Sequence, residues 1–338
     1  MFLKELTELN AVSGNEGAIR NFIKEKAAPL CDKVEVDRLG SVICWKYAKD
    51  ENAKTVMLSC HMDEVGFMVQ YIKDDGIIRY MPIGVVDPTV CVSKRVLVGE
   101  KAVPAIIGCK AVHLQERDER THALKHSQLY MDIGAKDKAD AAKKIKVGDY
   151  IAFESDYMEF GKDRIKGKAL DSRIGCDALL TLMKDTYPCN VAFVFNVQTE
   201  LGLRGATGTA YTVRPDVALV LETAEANDVA GAEDYEEVTA LGSGVAISFM
   251  DQTAIANPPL FSHMTALAEE KEILWQFKKG TVGMFDTGAI QRARGGCAAI
   301  TLSVPVRYRH SPTCVCDKND IASQIALAKA FLNEGGNF

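Results

Sequence analysis

The stretch NVAFVFNVQTELGLRGA, residues 190–206, decides the fold class. Its first half is rich in valine and phenylalanine, which is typical of a buried strand. Thr199 and Glu200 follow directly, so a carboxylate stands at the carboxyl end of this strand. Open α/β sheets bind their ligands at the carboxyl ends of strands. Glu200 is therefore a candidate metal ligand, and the neutral Thr199 beside it leaves open what would activate a water there.

Helix and strand patterns alternate on both sides of this stretch. Apolar runs predict strands at 33–47, 55–60, 217–221, 273–280 and 298–306. Helical patterns are found at 171–187, 261–273, 284–294 and 318–333. A first helix is predicted from the capping-box spacing of Ser13 and Glu16 ahead of Ile19. This alternation predicts an α/β core in which a mixed sheet is flanked by helices.

The middle of the chain has a different sequence pattern. Between about residues 74 and 167, short β-rich pieces follow one another, and a single short helix near 138–145 interrupts them. Turn residues separate the pieces, which is typical of a small β-barrel or β-sandwich. We therefore predict that a β-rich domain, residues 69–165, is inserted into an α/β domain formed by residues 1–68 and 166–338.

Composition argues against several classes of protein. The net charge of −6 leaves no basic excess to neutralise phosphates, so nucleic acid is not an expected partner. No stretch approaches the length of an uncharged membrane span, and the N-terminal segment has no signal-peptide core. The ten cysteines include no CxxC pair. A reduced, cytoplasmic protein is therefore expected rather than a disulfide framework.

Polar groups that suit a metal site stand at matching places in the α/β part. Four follow apolar strands directly and one, Asp171, precedes a helix. The candidate ligands are His61, Asp171, Glu200, Glu222 and His310. Two imidazoles and three carboxylates, one of them able to bridge, match the needs of two zinc-like divalent ions. Asp63, two residues beyond His61, would orient that ring from the same side of an extended strand.

Each candidate also has an ordinary reading. A histidine at a strand end is commonly a hydrogen-bonded surface residue, and a carboxylate before a helix, such as Asp171, is commonly an N-cap. Glu200 and Glu222 could each be a solvated strand terminus. The coincidence of five such groups is harder to explain in this way than any one of them.

The motifs that carry these groups resemble those of the tetrahedral aminopeptidases. The matching segments, in chain order, are HMDEVGFMV, ALDSRIGC, QTELGLRGA, LETAEANDVAG, GSGVAI and VPVRYRHSP. These enzymes are cytoplasmic dinuclear metallopeptidases, and the family includes glutamyl and deblocking aminopeptidases as well as members once labelled endoglucanases. The similarity covers nearly the whole chain.

The resemblance implies a role for each residue. His61 and Glu222 would bind one zinc or cobalt ion, Glu200 and His310 the other, and Asp171 would bridge both. Asp63 would hold His61. The implied fold is a Zn-peptidase-like α/β domain with an inserted PDZ-like β domain that supports large homo-oligomers, typically dodecamers. The implied reaction is removal of N-terminal residues from short peptides.

Two positions depart from the family pattern. The family usually has Asp where Glu222 stands, and this change keeps the carboxylate. It usually has Glu where Thr199 stands, and that Glu is the general base. Threonine has no useful pKa for this task near neutral pH, so turnover is expected to be weak. Candidate substitutes for the base are Glu64, Glu225 and Asp228, of which the last two lie in or near an acidic turn.

Two other functions remain open at this point. One is a non-catalytic metal-binding homo-oligomer of the same fold. The other is a glycosidase, which needs two carboxylates flanking a sugar-binding groove. An aromatic content of only 7% ranks the glycosidase last.

Some further residues attract attention but carry weak signals. The i, i+4 pair His122 and His126 lies in a polar stretch that is predicted to be an exposed, mobile loop. His263 is predicted to lie on a helix face. Cys314 and Cys316 could bind stray metal or oxidise, although CxC spacing alone is a weak signal. Residues 286–289, DTGA, are interpreted as structure on the substrate side of the site.

Overall fold

The computed structural model describes residues 2–117, 120–233 and 236–338. The helices are α1 (Leu3–Glu8), α2 (Gly17–Ala27), α3 (Pro88–Cys91), α4 (Lys138–Ala142), α5 (Leu170–Leu182), α6 (Arg204–Val213), α7 (Pro258–Glu270), α8 (Asp286–Arg292) and α9 (Lys318–Asn333). The strands are β1 (Lys33–Val36), β2 (Val42–Lys46), β3 (Thr55–His61), β4 (Gly66–Ile72), β5 (Ile78–Ile83), β6 (Arg95–Val98), β7 (Val103–Cys109), β8 (Leu129–Asp132), β9 (Tyr150–Phe153), β10 (Met158–Phe160), β11 (Arg164–Gly167), β12 (Asn190–Asn196), β13 (Val217–Glu225), β14 (Val245–Ser248), β15 (Trp275–Lys278), β16 (Ala298–Arg307) and β17 (Cys314–Asp317).

A large mixed sheet forms the centre of the α/β part. Its strand order is β1-β2-β12-β3-β13-β16-β17-β11-β10, with β14 and β15 attached beside β16. The four central strands β12, β3, β13 and β16 run parallel to one another. Their carboxyl ends therefore meet at one edge of the sheet, as the sequence predicts for the candidate site.

Alternating side chains bury both faces of the central strands. On one face, Leu219 and Phe193 pack with helices α2, α5, α7 and α9. On the other face, Val220 and Val194 pack with α6 and α8. Because successive side chains of a strand point to opposite faces, a continuous apolar run is what a sheet covered on both sides requires. The predicted α/β core is confirmed.

The β-rich middle of the chain closes into a barrel with the strand order β4-β5-β8-β7-β6-β9. Phe67, Val96 and Ile151 belong to its separate apolar core. The predicted small inserted barrel is therefore confirmed as part of the fold. Its strands lie between Gly66 and Phe153, whereas β10 and β11 pair with the large sheet. The domain limits of 69 and 165 stay a prediction.

The N-terminal region differs from the sequence prediction. An additional helix, α1, precedes the predicted one, and α2 begins only at Gly17. Ser13 does not cap α2, because its hydroxyl donates a hydrogen bond to Asp63 Oδ2 at 2.5 Å. The capping-box spacing was misleading because a carboxylate distant in sequence competes for the same hydroxyl.

Within the described residues, no helix is both long enough and apolar enough to cross a membrane.

Candidate metal centre

The predicted ligands converge at the carboxyl edge of the parallel strands. His61 is the last residue of β3, and Glu222 lies within the neighbouring strand β13. Glu200 belongs to a short 3₁₀ turn that follows β12. His310 follows β16, and its φ of 58° marks a left-handed turn of the chain. Asp171 lies at the start of α5, which packs under β3 and β13.

One group of ligand atoms consists of His61, Asp171 and Glu222. His61 Nε2 lies 3.4 Å from Glu222 Oε2 and 3.6 Å from Asp171 Oδ1. All three side chains are buried. Neither carboxylate oxygen of Glu222 accepts a hydrogen bond from any residue that the structure describes. A buried carboxylate without donors is costly unless another cation approaches it, so this group fits a divalent ion.

A second group shares Asp171 and adds Glu200 and His310. His310 Nε2 lies 3.1 Å from both Asp171 Oδ2 and Glu200 Oε1. Within each group the potential ligand atoms all lie within 4.8 Å of one another. Asp171 offers Oδ1 to the first group and Oδ2 to the second, as a bridging ligand must. Imidazole nitrogens and carboxylate oxygens suit zinc and related ions.

Asp63 lies beside His61 and also binds the neighbouring turn of the site. His61 Nδ1 lies 3.1 Å from the main-chain carbonyl of Asp63 and 3.5 Å from its carboxylate. The carboxylate accepts hydrogen bonds from the backbone N–H groups of Thr199 and Glu200, each at 3.1 Å. It thereby fixes the turn that carries Glu200. β3 ends at His61, so Asp63 lies just outside the strand.

The hydroxyl of Thr199 is also engaged. It donates to Asp286, with Oγ1 3.0 Å from Oδ1 and 3.2 Å from Oδ2. Asn196 Nδ2 donates to Asp286 Oδ2 at 2.8 Å. Asp286 lies at the start of α8 and is fully buried. Sequence reasoning assigned the DTGA segment to substrate-side structure and missed this contact, which joins residues 87 positions apart.

Arg309 is a second residue that sequence reasoning missed. Its Nε donates to Asp171 Oδ2 at 2.7 Å, and its side chain is 12% exposed. The guanidinium carbon lies 5.9 Å from the centre of the Phe285 ring. A cation therefore stands among the predicted ligands. The sequence places Arg309 directly before the candidate ligand His310, which could have indicated a role in the site. An arginine near a strand end usually faces solvent, however.

The charges of the cluster move the pKa values of its members. Burial alone would lower the pKa of His61, but Glu222 and Asp171 outweigh burial and raise it well above its usual range. Burial raises the pKa of Glu222 well above its usual range. The pKa of Asp171 is held well below its usual range, because Arg309 and His310 outweigh its burial. Perturbed pKa values in a buried cluster of this kind are typical of functional sites.

The barrel contributes to the position of His310. His310 Nδ1 lies 2.7 Å from the carbonyl oxygen of Val85, in the segment after β5. The next carbonyl, that of Val86, lies 2.8 Å from His126 Nε2. The ring of His126 packs edge-on against Phe67 in the barrel core. The predicted exposed, mobile loop is thus wrong for His126, because this ring supports the segment that holds His310.

The candidate substitute bases are placed differently. Glu64 is buried and bound by Lys168, whose Nζ lies 2.7 Å from Oε2. Asp228 is bound by Arg307 at 2.7 Å. Burial raises the pKa of Glu225, and the charges of Arg309 and His310 oppose this rise. Glu64 and Asp228 therefore have structural partners.

The remaining candidates have local partners as well. His263 lies in α7, and its Nε2 is 2.8 Å from Glu334 Oε2. His122 is exposed and has its Nδ1 3.4 Å from the Thr121 hydroxyl. Cys314 and Cys316 are buried in β17. Burial raises the pKa of the Cys314 thiol to about 12, so this thiol is protonated and a poor ligand or nucleophile. Positions 118 and 119, which belong to the same polar stretch as His122, lie outside the described residues.

A pocket of about 210 Å³ opens onto the candidate metal centre. Its lining includes His61, Thr199, Glu222 and Arg309, together with Phe285. Thr199 and four of the five candidate ligands therefore line the same space, in which a small substrate group can be bound.

Comparison with known proteins agrees with this geometry. The sequence model described as M42 glutamyl aminopeptidase matches residues 40–327. A glutamyl aminopeptidase of Lactococcus lactis is 31% identical, over 98% of this chain and 94% of the relative. The aminopeptidase APDkam598 of Desulfurococcus kamchatkensis is 34% identical with a TM-score of 0.94, over 98% of this chain and 94% of that one.

A further similar structure is the TET1 peptidase of Pyrococcus horikoshii, which can assemble into a tetrahedron or a large octahedral shell. It is 29% identical with a TM-score of 0.86, and the match covers 98% of each chain. The family match spans most of the sequence, and the fold is shared over nearly its whole length. The resemblance read from the motifs is confirmed: this chain belongs to the M42 glutamyl aminopeptidase family and is a hydrolase of the aminopeptidase type.

Proposed function

We propose that this chain hydrolyses N-terminal residues from short peptides with two divalent metal ions, zinc or cobalt, as cofactors. His61 and Glu222 would hold one ion, Glu200 and His310 the other, and Asp171 both. The observation that carries the proposal is the buried Glu222 carboxylate, which has no hydrogen-bond donor among the described residues and lies beside His61 and Asp171. Bound divalent ions would polarise the scissile carbonyl and acidify a water.

The weak point of the proposed reaction is Thr199. A general base contributes about 10²–10⁴-fold to such a step, and a threonine hydroxyl cannot act as one near neutral pH. The hydroxyl proton of Thr199 is directed at Asp286. Its oxygen can therefore accept a proton from a water in the pocket while its own proton passes to the carboxylate. This indirect route supports slow turnover rather than none.

The partners and setting follow from the same family membership. We propose a homo-oligomer, for example a dodecamer, as suggested by the assemblies described for the Pyrococcus horikoshii TET1 peptidase. A cytoplasmic location suits the ten cysteines, all described and all free. Sedimentation analysis of the purified protein would test the assembly, since a monomer at all concentrations would contradict it.

The glycosidase alternative receives less support from the pocket. A groove that binds sugar rings usually offers aromatic faces, yet Phe285 is the only Phe, Tyr or Trp in the lining given by the described residues. The non-catalytic metal-binding assembly is a closer rival, because residue 199 is a threonine and supplies no carboxylate as a base.

Hydrolysis assays separate these functions. Metal-depleted protein reloaded with Zn²⁺ or Co²⁺ would be given tripeptides with a free or an acetylated N-terminus. We expect release of the first residue from the free peptides alone, with loss on chelation and recovery on reloading. A Glu200→Gln variant should lose this activity. Inert protein that binds two ions would support the non-catalytic assembly instead, and release of reducing sugar from a glucan would support the glycosidase.

A further inference from the structure

Arg309 places a permanent positive charge inside the metal centre. Its Nε donates to Asp171 Oδ2 at 2.7 Å, and the side chain is nearly buried. Oδ2 is the oxygen that faces His310, whose Nε2 lies 3.1 Å away. The guanidinium thus approaches the Glu200–His310 side of the centre. An arginine cannot give up its proton in a protein, so this charge persists at every working pH.

Two divalent ions carry one positive charge more than the three ligand carboxylates can balance, and Arg309 raises this excess to two. The ligand carboxylates carry three negative charges, on Asp171, Glu200 and Glu222. The positive charge of Arg309 neutralises one of them. The remaining charge of minus two is cancelled by a single divalent ion. A second ion leaves the ligands and Arg309 with an excess of two positive charges, of which the nearby Asp63 carboxylate offsets one, and like charges repel in a partly buried site. The first ion is therefore favoured over the second.

The contacts decide which of the two positions is filled first. Both oxygens of Glu222 are without donors among the described residues, so the His61 side offers free ligands. On the other side, Asp171 Oδ2 already gives one lone pair to a charged donor, and charge-assisted hydrogen bonds are the strong ones. Among the described residues, Asp171 Oδ1 accepts one hydrogen bond, from the Thr223 hydroxyl at 2.5 Å, and His61 Nε2 lies 3.6 Å from it. An ion near His310 therefore meets a weaker ligand and a nearby cation.

We propose that Arg309 makes the two ion sites unequal. The site formed by His61, Asp171 and Glu222 binds a divalent ion tightly. The site formed by Asp171, Glu200 and His310 binds a second ion weakly, and Arg309 sets the difference. This inference rests on the proposed function, because it assumes that both ligand groups bind divalent ions.

Titration of the metal-free, full-length protein with Co²⁺ tests the inference by calorimetry and visible absorption. The wild type should bind one ion tightly and a second at least about tenfold more weakly. Arg309→Met should tighten the second ion by about 10–100-fold, a change of the size, although of the opposite sign, that follows loss of a supporting partner of a metal ligand. Arg309→Gln keeps an N–H donor without the charge and should give the same shift. Circular dichroism would verify that each variant is folded.

Matched controls make the outcome specific. Arg309→Lys retains the charge and should keep the two affinities apart, and Arg307→Met, which removes the partner of Asp228, should behave as wild type. His310→Ala should remove the weak step, and His61→Ala the tight one. Two equal affinities in the wild type, an unchanged second affinity in folded Arg309 variants, or the reverse assignment of the steps would overturn the inference and leave the proposed function standing. If the wild type binds no ion, both fail.

Discussion

The hydroxyl of Thr199 and the buried carboxylate of Asp286 form a hydrogen-bonded pair, with Oγ1 3.0 Å from Oδ1. Thr199 lines the pocket onto which the ligand groups open, whereas Asp286 lies behind it at the start of α8. The carboxylate that accepts the Thr199 hydroxyl proton is therefore separated from the pocket by Thr199 itself. We therefore expect the Thr199–Asp286 hydrogen bond to influence the rate of peptide hydrolysis.

Replacing Thr199 by Glu should accelerate peptide hydrolysis. A carboxylate at this position reaches the pocket directly and takes a proton without a relay, which is worth about 10²-fold or more in kcat. Steady-state assays on aminoacyl anilides would measure the gain. Thr199→Gln is the matched control, because it has the size of Glu without its basicity, and it should not exceed the wild type. Equal rates for wild type and Thr199→Glu would mean that another base already acts.

Breaking the Thr199–Asp286 pair at either end should slow the wild-type reaction. Thr199→Val removes the hydroxyl while keeping the shape, and Asp286→Asn removes the proton acceptor. Both should lower kcat by a similar factor of about 10 or more, with little change in KM, because they remove assistance to proton transfer alone. The double variant should be no slower than either single one. Additive losses would show that the two residues act separately.

Asp286 should make the stability of the metal-free protein depend on pH. Burial raises its pKa from 3.8 to about 6, and the charged groups that face it are His61, Asp63 and Glu222, beside the Cys60 thiol. Between pH 3.8 and about pH 6, Asp286 is protonated more fully in the folded state than in the unfolded state, so the free energy of unfolding falls as pH rises. The shift corresponds to about 3 kcal/mol.

Urea unfolding of wild type and Asp286→Asn at a series of pH values would measure this effect. The free energy of unfolding of the wild type should decline relative to that of the variant between about pH 4 and pH 7, because the variant stays neutral throughout. A constant difference across this range would show that Asp286 does not titrate there.

A buried ion pair below the site should matter for stability. Lys168 Nζ lies within 2.8 Å of both carboxylate oxygens of Glu64, and Arg173 lies 3.6 Å from one of them. Lys168→Met leaves the buried carboxylate with a single, more distant cation and should cost about 3 kcal/mol in the free energy of unfolding. Lys318→Met, which removes an exposed pair with Glu159, serves as the control and should leave the unfolding midpoint unchanged. Equal effects of both variants would contradict a special role for the buried pair.

The sequence predicts the location of the candidate site well because its signals are local. Buried strands can be recognised from apolar runs, and parallel strands bring their carboxyl ends together. His61, Glu200 and Glu222 therefore converge for a reason that is visible in the sequence. The inserted barrel is recognised in the same way, from short β-rich pieces between turns.

The contacts that tune the site depend on residues far apart in the sequence. Ser13 has the spacing of a helix cap but bonds to Asp63, which lies 50 residues away. Asp286 reaches Thr199 across 87 residues, and Arg309 reaches Asp171 across 138. No local pattern distinguishes these side chains from solvated ones. Their roles become visible only when the strands and helices are packed together.

The central claim is that two groups of side chains sharing Asp171 bind divalent ions at the carboxyl edge of the sheet. An anomalous difference map from crystals of the zinc-loaded protein tests it most directly. We expect one strong peak among His61, Asp171 and Glu222 and a weaker peak among Asp171, Glu200 and His310. A map without a peak at either position, or with zinc bound only elsewhere, would contradict it.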